Sequence, residues 1–320
     1  MYLLTCEHGV IVLSLTNKQL PLVWVLPAPA KVNLHLWVTG VLADGRHTLD
    51  TSFAYVALYD TVHVEPASVL CVRCSTPSLN GENNLVYRVL DALRQRYDVS
   101  DGLDVYIDKK IPAEAGLGGG SSDAATAIMA ACRLWHIHAS MAELIAFATP
   151  WGADIPCFLF AQSSRASGVG ECLQPLHQAL PEGIICLARP GGGVSTGAVF
   201  QAFDQDCVLT QEVPLVSVRA ASQQGLPIGE NMLQASAERL LPALSVLLRR
   251  MREHSDYVWM SGSGSSCIAL CANQESAQQL VNDVTEHALA DWTWCTRWLN
   301  HHPLRYWMNN NHQHRPNNGA

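Results

Sequence analysis

Charge is scarce in this chain: Asp, Glu, Lys and Arg make up 15% of it, and the 20 basic residues are outnumbered by 28 acidic ones. The formal charge of -8 leaves no overall positive field to hold a nucleic acid or an anionic membrane, and no basic and aromatic stripe compensates. An anionic ligand must therefore be gripped by a local device. No run reaches the roughly 18 apolar residues of a membrane span. Residues 9–25 carry Lys18, follow Glu7 and lack a clear cleavage site, so they read as an uninformative extension rather than a leader. No Gly-Lys pair occurs, which excludes a Walker A loop, and a dinucleotide GxGxxG fails because Ser121 stands where its third glycine would be. Cys71 and Cys74 form a CxxC without a second pair, and His136/His138, His301/His302 and His312/His314 have no supporting ligands, so no zinc site is expected. The eleven cysteines are scattered and odd in number, as in a reduced, cytosolic protein. There is no internal repeat and no Pro/Ser-rich linker.

What is present is patterned. Ala30, Val32, Leu34, Leu36 and Val38 share one parity and Lys31, Asn33, His35 and Trp37 the other, which predicts a strand with Lys31 and Asn33 on one face. Asp44-Gly45 predicts a turn, followed by strand runs at 51–58, 61–64 and 69–74. Asn84 predicts the cap of a helix over 85–97, and Leu103, Val105 and Ile107 alternate as a strand. A glycine cluster, GLGGGSS over 116–122, feeds an alanine-rich helix over 123–135, and Ser140 with Glu143 predicts a capping box for a short helix ending near Pro150. Beyond Pro181 the order reads strand 184–188, helix 196–203, helix 231–252, strand 257–260, strand 267–271, a helix boxed by Ser276 and Gln279, and strand 293–299. That is close to a split βαβ, ferredoxin-like unit with one added helix, and it makes the whole chain α+β. With 320 residues, 48% of them hydrophobic, it can hold two lobes, tightly joined around a cleft. After Trp298 the composition turns to Asn, His and Pro, a tail expected not to order itself.

A glycine-rich turn before a helix offers backbone N–H groups at the positive end of the helix dipole, which suits phosphate oxygens without any basic side chain. Alone, such a cluster is equally an ordinary loop. Here it stands between PAKVNL at 29–34, ADGRHTL at 43–49, GADIPCF at 152–158 and SGSGSSC at 261–267. In this order and spacing, from about Pro27 to Leu299, the segments resemble the GHMP (galactokinase, homoserine, mevalonate, phosphomevalonate) kinase superfamily. Within it they resemble the kinases of 4-diphosphocytidyl-2-C-methyl-D-erythritol in the non-mevalonate isoprenoid pathway.

The resemblance implies a two-lobed GHMP kinase fold: an N-terminal α/β lobe like the second domain of a small-subunit ribosomal protein, and a C-terminal ferredoxin-like α+β lobe. The expected boundaries are an extension over 1–26, the ATP-binding domain over 27–180, the C-terminal domain over 181–300 and a tail over 301–320. It implies ATP-dependent phosphorylation of the tertiary 2-hydroxyl, with Asp154 as base and Lys31 as the cation beside the reacting oxygen. Pro112, Gly116, Leu117, Gly118, Gly119, Gly120, Ser121 and Ser122 are implied for ATP. Mg2+ is expected on the phosphates, with Ser122 as the hydroxyl on its side. Asn33, Arg46, His47, Asp154, Thr196 and Phe200 are implied for the substrate, and Gly262, Ser263 and Gly264 as the closing third motif. A small-molecule substrate, a cytoplasmic location, no nucleic-acid or membrane partner, and a monomer or homodimer complete the expectation.

Two residues depart from the pattern. Arg46 replaces the usual aromatic that stacks on cytosine, a role a guanidinium plane can also fill. Glu114, ahead of the phosphate loop, would oppose ATP if it faced inward and is expected to face out. A homoserine- or mevalonate-type substrate, and a sensor that binds without catalysis, are the other readings. DGRH and the triple glycine weigh against the first, and the retention of both Lys31 and Asp154 against the second.

Overall fold

The computed structural model describes residues 2–6, 9–13, 23–210 and 226–306, which form two packed sheets with helices on their outer faces. The first sheet is built on a long antiparallel hairpin, β3 (Val23–Val41) and β4 (His47–Ala67), turning at Asp44-Gly45. Strand β6 (Gly102–Asp108) adds to β4, and β5 (Cys71–Cys74) adds to β6 in parallel. On the far side of β4 lie β7 (Ser164–Gly168) and β8 (Cys172–Pro175). Cys71 is exposed and Cys74 buried, so the CxxC does not converge on one ion.

The N-terminal extension is not featureless. β1 (Tyr2–Cys6) and β2 (Gly9–Leu13) form a hairpin whose second strand pairs with β3 from Val10↔Val25 to Val12↔Val23. Alternation there was too short to distinguish a strand from an apolar patch. Residues 14–22 lie outside those described.

Helices α1 (Leu85–Arg96) and α2 (Gly119–Leu134) cover one face of this sheet. They are followed by α3 (Met141–Ala148) and the short α4 (Ile155–Phe160). Asn84 caps α1, and Ser140 and Glu143 make the expected box on α3. Helix α2 begins four residues earlier than its alanine-rich stretch suggests, because Gly118 takes the left-handed cap position at φ 71°.

The second lobe has the antiparallel order β10-β11-β9-β12, from β9 (Ile184–Arg189), β10 (Val258–Met260), β11 (Cys267–Cys271) and β12 (Trp292–Thr296). Its helices are α5 (Thr196–Thr210), α6 (Gln234–Leu240), α7 (Pro242–Met251) and α8 (Gln274–Glu286). The expected single helix over 231–252 is broken because Pro242 forces Leu241 out of the helical region, to φ -132° and ψ 83°. Asn273 with Ser276, not Ser276 with Gln279, boxes α8. Parity divides β9 between two cores. Ile185 and Leu187 meet Ala30, Val32 and Leu34 of β3, whereas Cys186 and Ala188 face the helices of their own lobe. The lobes are thus joined sheet to sheet, and Lys31 and Asn33 take the opposite face of β3, toward α2 and α4.

The chain then returns. β13 (Trp298–Leu299) pairs with β4, and the first residues of the expected tail pack instead of dangling. His302 and Leu304 are fully buried, the His302 N–H donates to Ala161 O, and the His302 ring stands edge-on to Tyr55. Composition concealed this because two buried side chains anchor an otherwise polar segment; residues 307–320, with His312 and His314, lie outside those described.

Burial holds the His302 imidazole down to about 3, with His301 adding to the effect. Its ordinary value is near 6.5, so the unfolded chain binds this proton first as pH falls. Stability is therefore expected to decline from about pH 6.5 toward pH 3. His302→Asn, which keeps an acceptor for the Leu304 N–H, should flatten that part of the profile in urea unfolding followed against pH.

Candidate active site

A cleft of about 650 Å³ runs between the lobes, lined by β3, the glycine loop, the α4 N-terminus and residues 262–264. At its centre is a buried ammonium. Lys31 is 3% exposed, donates to Asn33 Oδ1 at 2.6 Å, pairs with Asp154 Oδ2 at 3.3 Å and sits 5.3 Å above the Phe53 ring. Asn33 is held in register: its Nδ2 donates to Thr51 Oγ1 at 2.8 Å, whose own hydroxyl donates to His35 O, leaving Oδ1 for Lys31. Asp154 occupies the N-cap position of α4 but makes no side-chain cap bond, so its carboxylate, 32% exposed, is free to face both Lys31 and the cleft.

The glycine loop is welded to the other lobe. Ser261 Oγ donates to Gly116 O and accepts from Asn33 N, and a Cβ on Gly116 would lie 2.2 Å from Ser261 O. Gly262 is less crowded, its Cβ position 3.2 Å from Asn33 Oδ1, but its φ of 57° is a conformation that favours glycine in the third motif. Leu117 contributes backbone only, its carbonyl accepting from Lys31 N while its side chain is buried. Pro112, Gly118, Gly119, Gly120, Ser121, Ser263 and Gly264 line the cleft with their expected partners. Ser122 does not. Its hydroxyl is fully buried and without a hydrogen-bond partner, whereas Ser121 lines the cleft. Helical rotation separates two adjacent serines that read alike in sequence.

Thr196 and Phe200, one turn apart on α5, reach the cleft from the second lobe, and Thr196 Oγ1 lies 2.9 Å from Ser263 Oγ. His47 stacks on Phe200 with ring centroids 4.6 Å apart, and its Nε2 is 2.7 Å from Asp204 Oδ1. Arg46 stands apart: 58% exposed, it pairs with Asp44 in its own turn and does not line the cleft. Glu114 is exposed but does not face away as expected, its carboxylate standing on the cleft rim across from Gly193.

Sequence reasoning missed a largely buried triad beside the phosphate loop, two of whose members, Lys109 and Asp123, line the cleft. The Lys109 ammonium bridges Asp60 and Asp123, and Asp60 also accepts from the backbone N–H of Lys110 and Ile111. Burial pushes the Asp123 carboxyl up to about 7, with Lys109 opposing and the charge of Asp60 adding. The only available signal was Lys109-Lys110 immediately ahead of the loop.

Two models of known families match: the GHMP kinases N terminal domain over residues 84–162 and the GHMP kinases C terminal domain over 218–289. The 4-diphosphocytidyl-2-C-methyl-D-erythritol kinase of Cupriavidus necator is 36% identical over 283 residues, covering 87% of this chain and 94% of its own. That of Bordetella bronchiseptica is 35% identical over 302 residues, covering 88% and 98%. The chain belongs to the 4-diphosphocytidyl-2-C-methyl-D-erythritol kinase family of GHMP kinases. A crystal structure of 4-(cytidine 5'-diphospho)-2C-methyl-D-erythritol kinase superposes with TM-score 0.69 at 34% identity, over 86% of this chain and 98% of that one. The L. major mevalonate kinase in complex with R-mevalonate shares the fold at TM-score 0.64 and 13% identity, over 84% of this chain and 94% of that one.

In this GHMP kinase, Arg46→Ala is expected to change KM for either substrate by less than about twofold, because an exposed ion pair within one turn contributes little. A larger rise for the acceptor alone would show that Arg46 swings onto it. Lys109→Met should lower unfolding free energy by about 3–5 kcal/mol in urea titration, since it strands two buried carboxylates.

Proposed function

We propose that the chain transfers the γ-phosphoryl group of ATP to the 2-hydroxyl of 4-diphosphocytidyl-2-C-methyl-D-erythritol, giving the 2-phosphate and ADP in isoprenoid precursor synthesis. The observation that carries this reading is the Lys31–Asp154 pair, 3.3 Å apart, at the junction of the phosphate loop and the Thr196 and Phe200 side of the cleft. A tertiary alcohol is hindered and very weakly acidic, so its attack needs a base and a nearby cation. Asp154 accepts the hydroxyl proton, Lys31 stabilises the developing alkoxide, and Asn33 keeps the ammonium aimed. The backbone N–H groups at the start of α2 hold the triphosphate, with the helix dipole aligned.

ATP enters as its magnesium complex. The ion would ride on the phosphate oxygens, and Ser121 is the cleft hydroxyl that would stand near it. When bound, Mg2+ offsets phosphate charge. His47 and Phe200 form the platform for the cytidyl end. The free thiols among the described residues suit the reducing cytoplasm, the compartment we assign.

Coupled ADP release tests this against other GHMP substrates. The cytidyl substrate is expected to exceed mevalonate and homoserine in kcat/KM by at least about 10²-fold, the scale set by unsatisfied polar contacts. Equal or faster turnover of either competitor would overturn the substrate assignment while leaving the fold untouched.

A further inference from the structure

Away from the cleft, three thiols meet on neighbouring strands of the second lobe. Cys186 of β9 lies directly opposite Cys295 of β12, with their sulfurs 3.3 Å apart, and Cys271 of β11 is 3.7 Å away on the other side. All three lie with the core beneath α8, where the Cys186 sulfur also lies 3.8 Å from Ala277 O. We propose that Cys295 and Cys186 form a redox site in which a hydroperoxide oxidises Cys295 and Cys186 resolves it to a cross-strand disulfide.

The geometry gives each thiol a separate part. Cys295 is half-buried on the edge strand of its sheet, where a small oxidant can reach it, whereas Cys186 is fully buried. Contact with the Cys186 sulfur lowers the Cys295 thiol as it lowers that of the buried Cys271, so accessibility is what singles out Cys295 for attack on an oxidant. The Cys295 thiolate attacks the peroxide, an S–O bond forms as the O–O bond breaks, and the alkoxide or hydroxide leaving group takes a proton from water. Sulfur is oxidised by two electrons and the peroxide is reduced. Cys186 then loses its proton and attacks the sulfenic sulfur, the S–S bond forms, and hydroxide leaves to combine with that proton as water. Residues directly opposite on antiparallel strands have Cβ atoms about 4.5–5.5 Å apart, against about 3.5–4.5 Å in a disulfide, so closure needs only a small approach of the edge strand. A disulfide formed under such constraint is reducible, which makes the modification reversible.

The test uses the full chain treated with hydrogen peroxide, followed by alkylation, digestion and mass spectrometry. The expected first product is a Cys186–Cys295 cross-linked peptide that dithiothreitol releases. In Cys295→Ser, where that bridge cannot form, peroxide should leave Cys186 alkylatable, with at least about tenfold less of it oxidised than in the wild type. In Cys186→Ser, dimedone should trap sulfenic acid at Cys295; if that buried substitution does not fold, the Cys295→Ser comparison still decides. The proposal fails if Cys295 stays alkylatable under peroxide that oxidises the exposed Cys71 and Cys172. It also fails if Cys295 goes to sulfinic acid without cross-linking, or if Cys186–Cys271 is the first bridge.

Discussion

A lysine ammonium buried to 3% exposure is the constraint around which the cleft is arranged. An unpaired charge in that position would cost several kcal/mol, and so Asn33, Asp154 and the Phe53 ring have to be held at fixed places around it. Each depends on a different element: Asn33 on the strand partner Thr51, Asp154 on the start of α4, and Phe53 on β4. Trp259 of the second lobe donates to Asn33 O, and Ser261 ties the same residue to Gly116. Sheet-to-sheet packing of the lobes and the placement of one ammonium are therefore a single structural problem with one solution.

Much of the fold was legible because alternation and caps are local. The parity of Lys31 and Asn33, the Asn84 cap and the Ser140–Glu143 box all follow from residues within a few positions of one another. The succession of elements in the second lobe pointed to a ferredoxin-like unit, and a four-stranded sheet is found there. What escaped reading was set at long range. The docking of His302 and Leu304 is decided by Ala161 and Tyr55, and composition cannot report partners so distant in sequence. The broken helix at Pro242 was a local signal passed over.

The candidate site divides along the same line. Glycines at 116, 118 and 262 could be recognised because only glycine satisfies their positive φ and close approaches. Arg46 and Ser122 could not be placed from spacing, since a turn can aim a side chain at solvent and a helix can rotate a serine inward. The Lys109 triad was invisible because Asp60, Lys109 and Asp123 lie on three separate segments. It flanks the phosphate loop, with the Lys109 ammonium already paired to two carboxylates.

The account stands on Asp154 acting as the base held beside a buried cation, and single-turnover phosphoryl transfer in Asp154→Asn measures this most directly. The rate constant should drop by about 10²–10⁴, the usual worth of a general base, while ATP affinity by calorimetry stays within about twofold. Transfer at the wild-type rate with ATP bound would contradict the central claim.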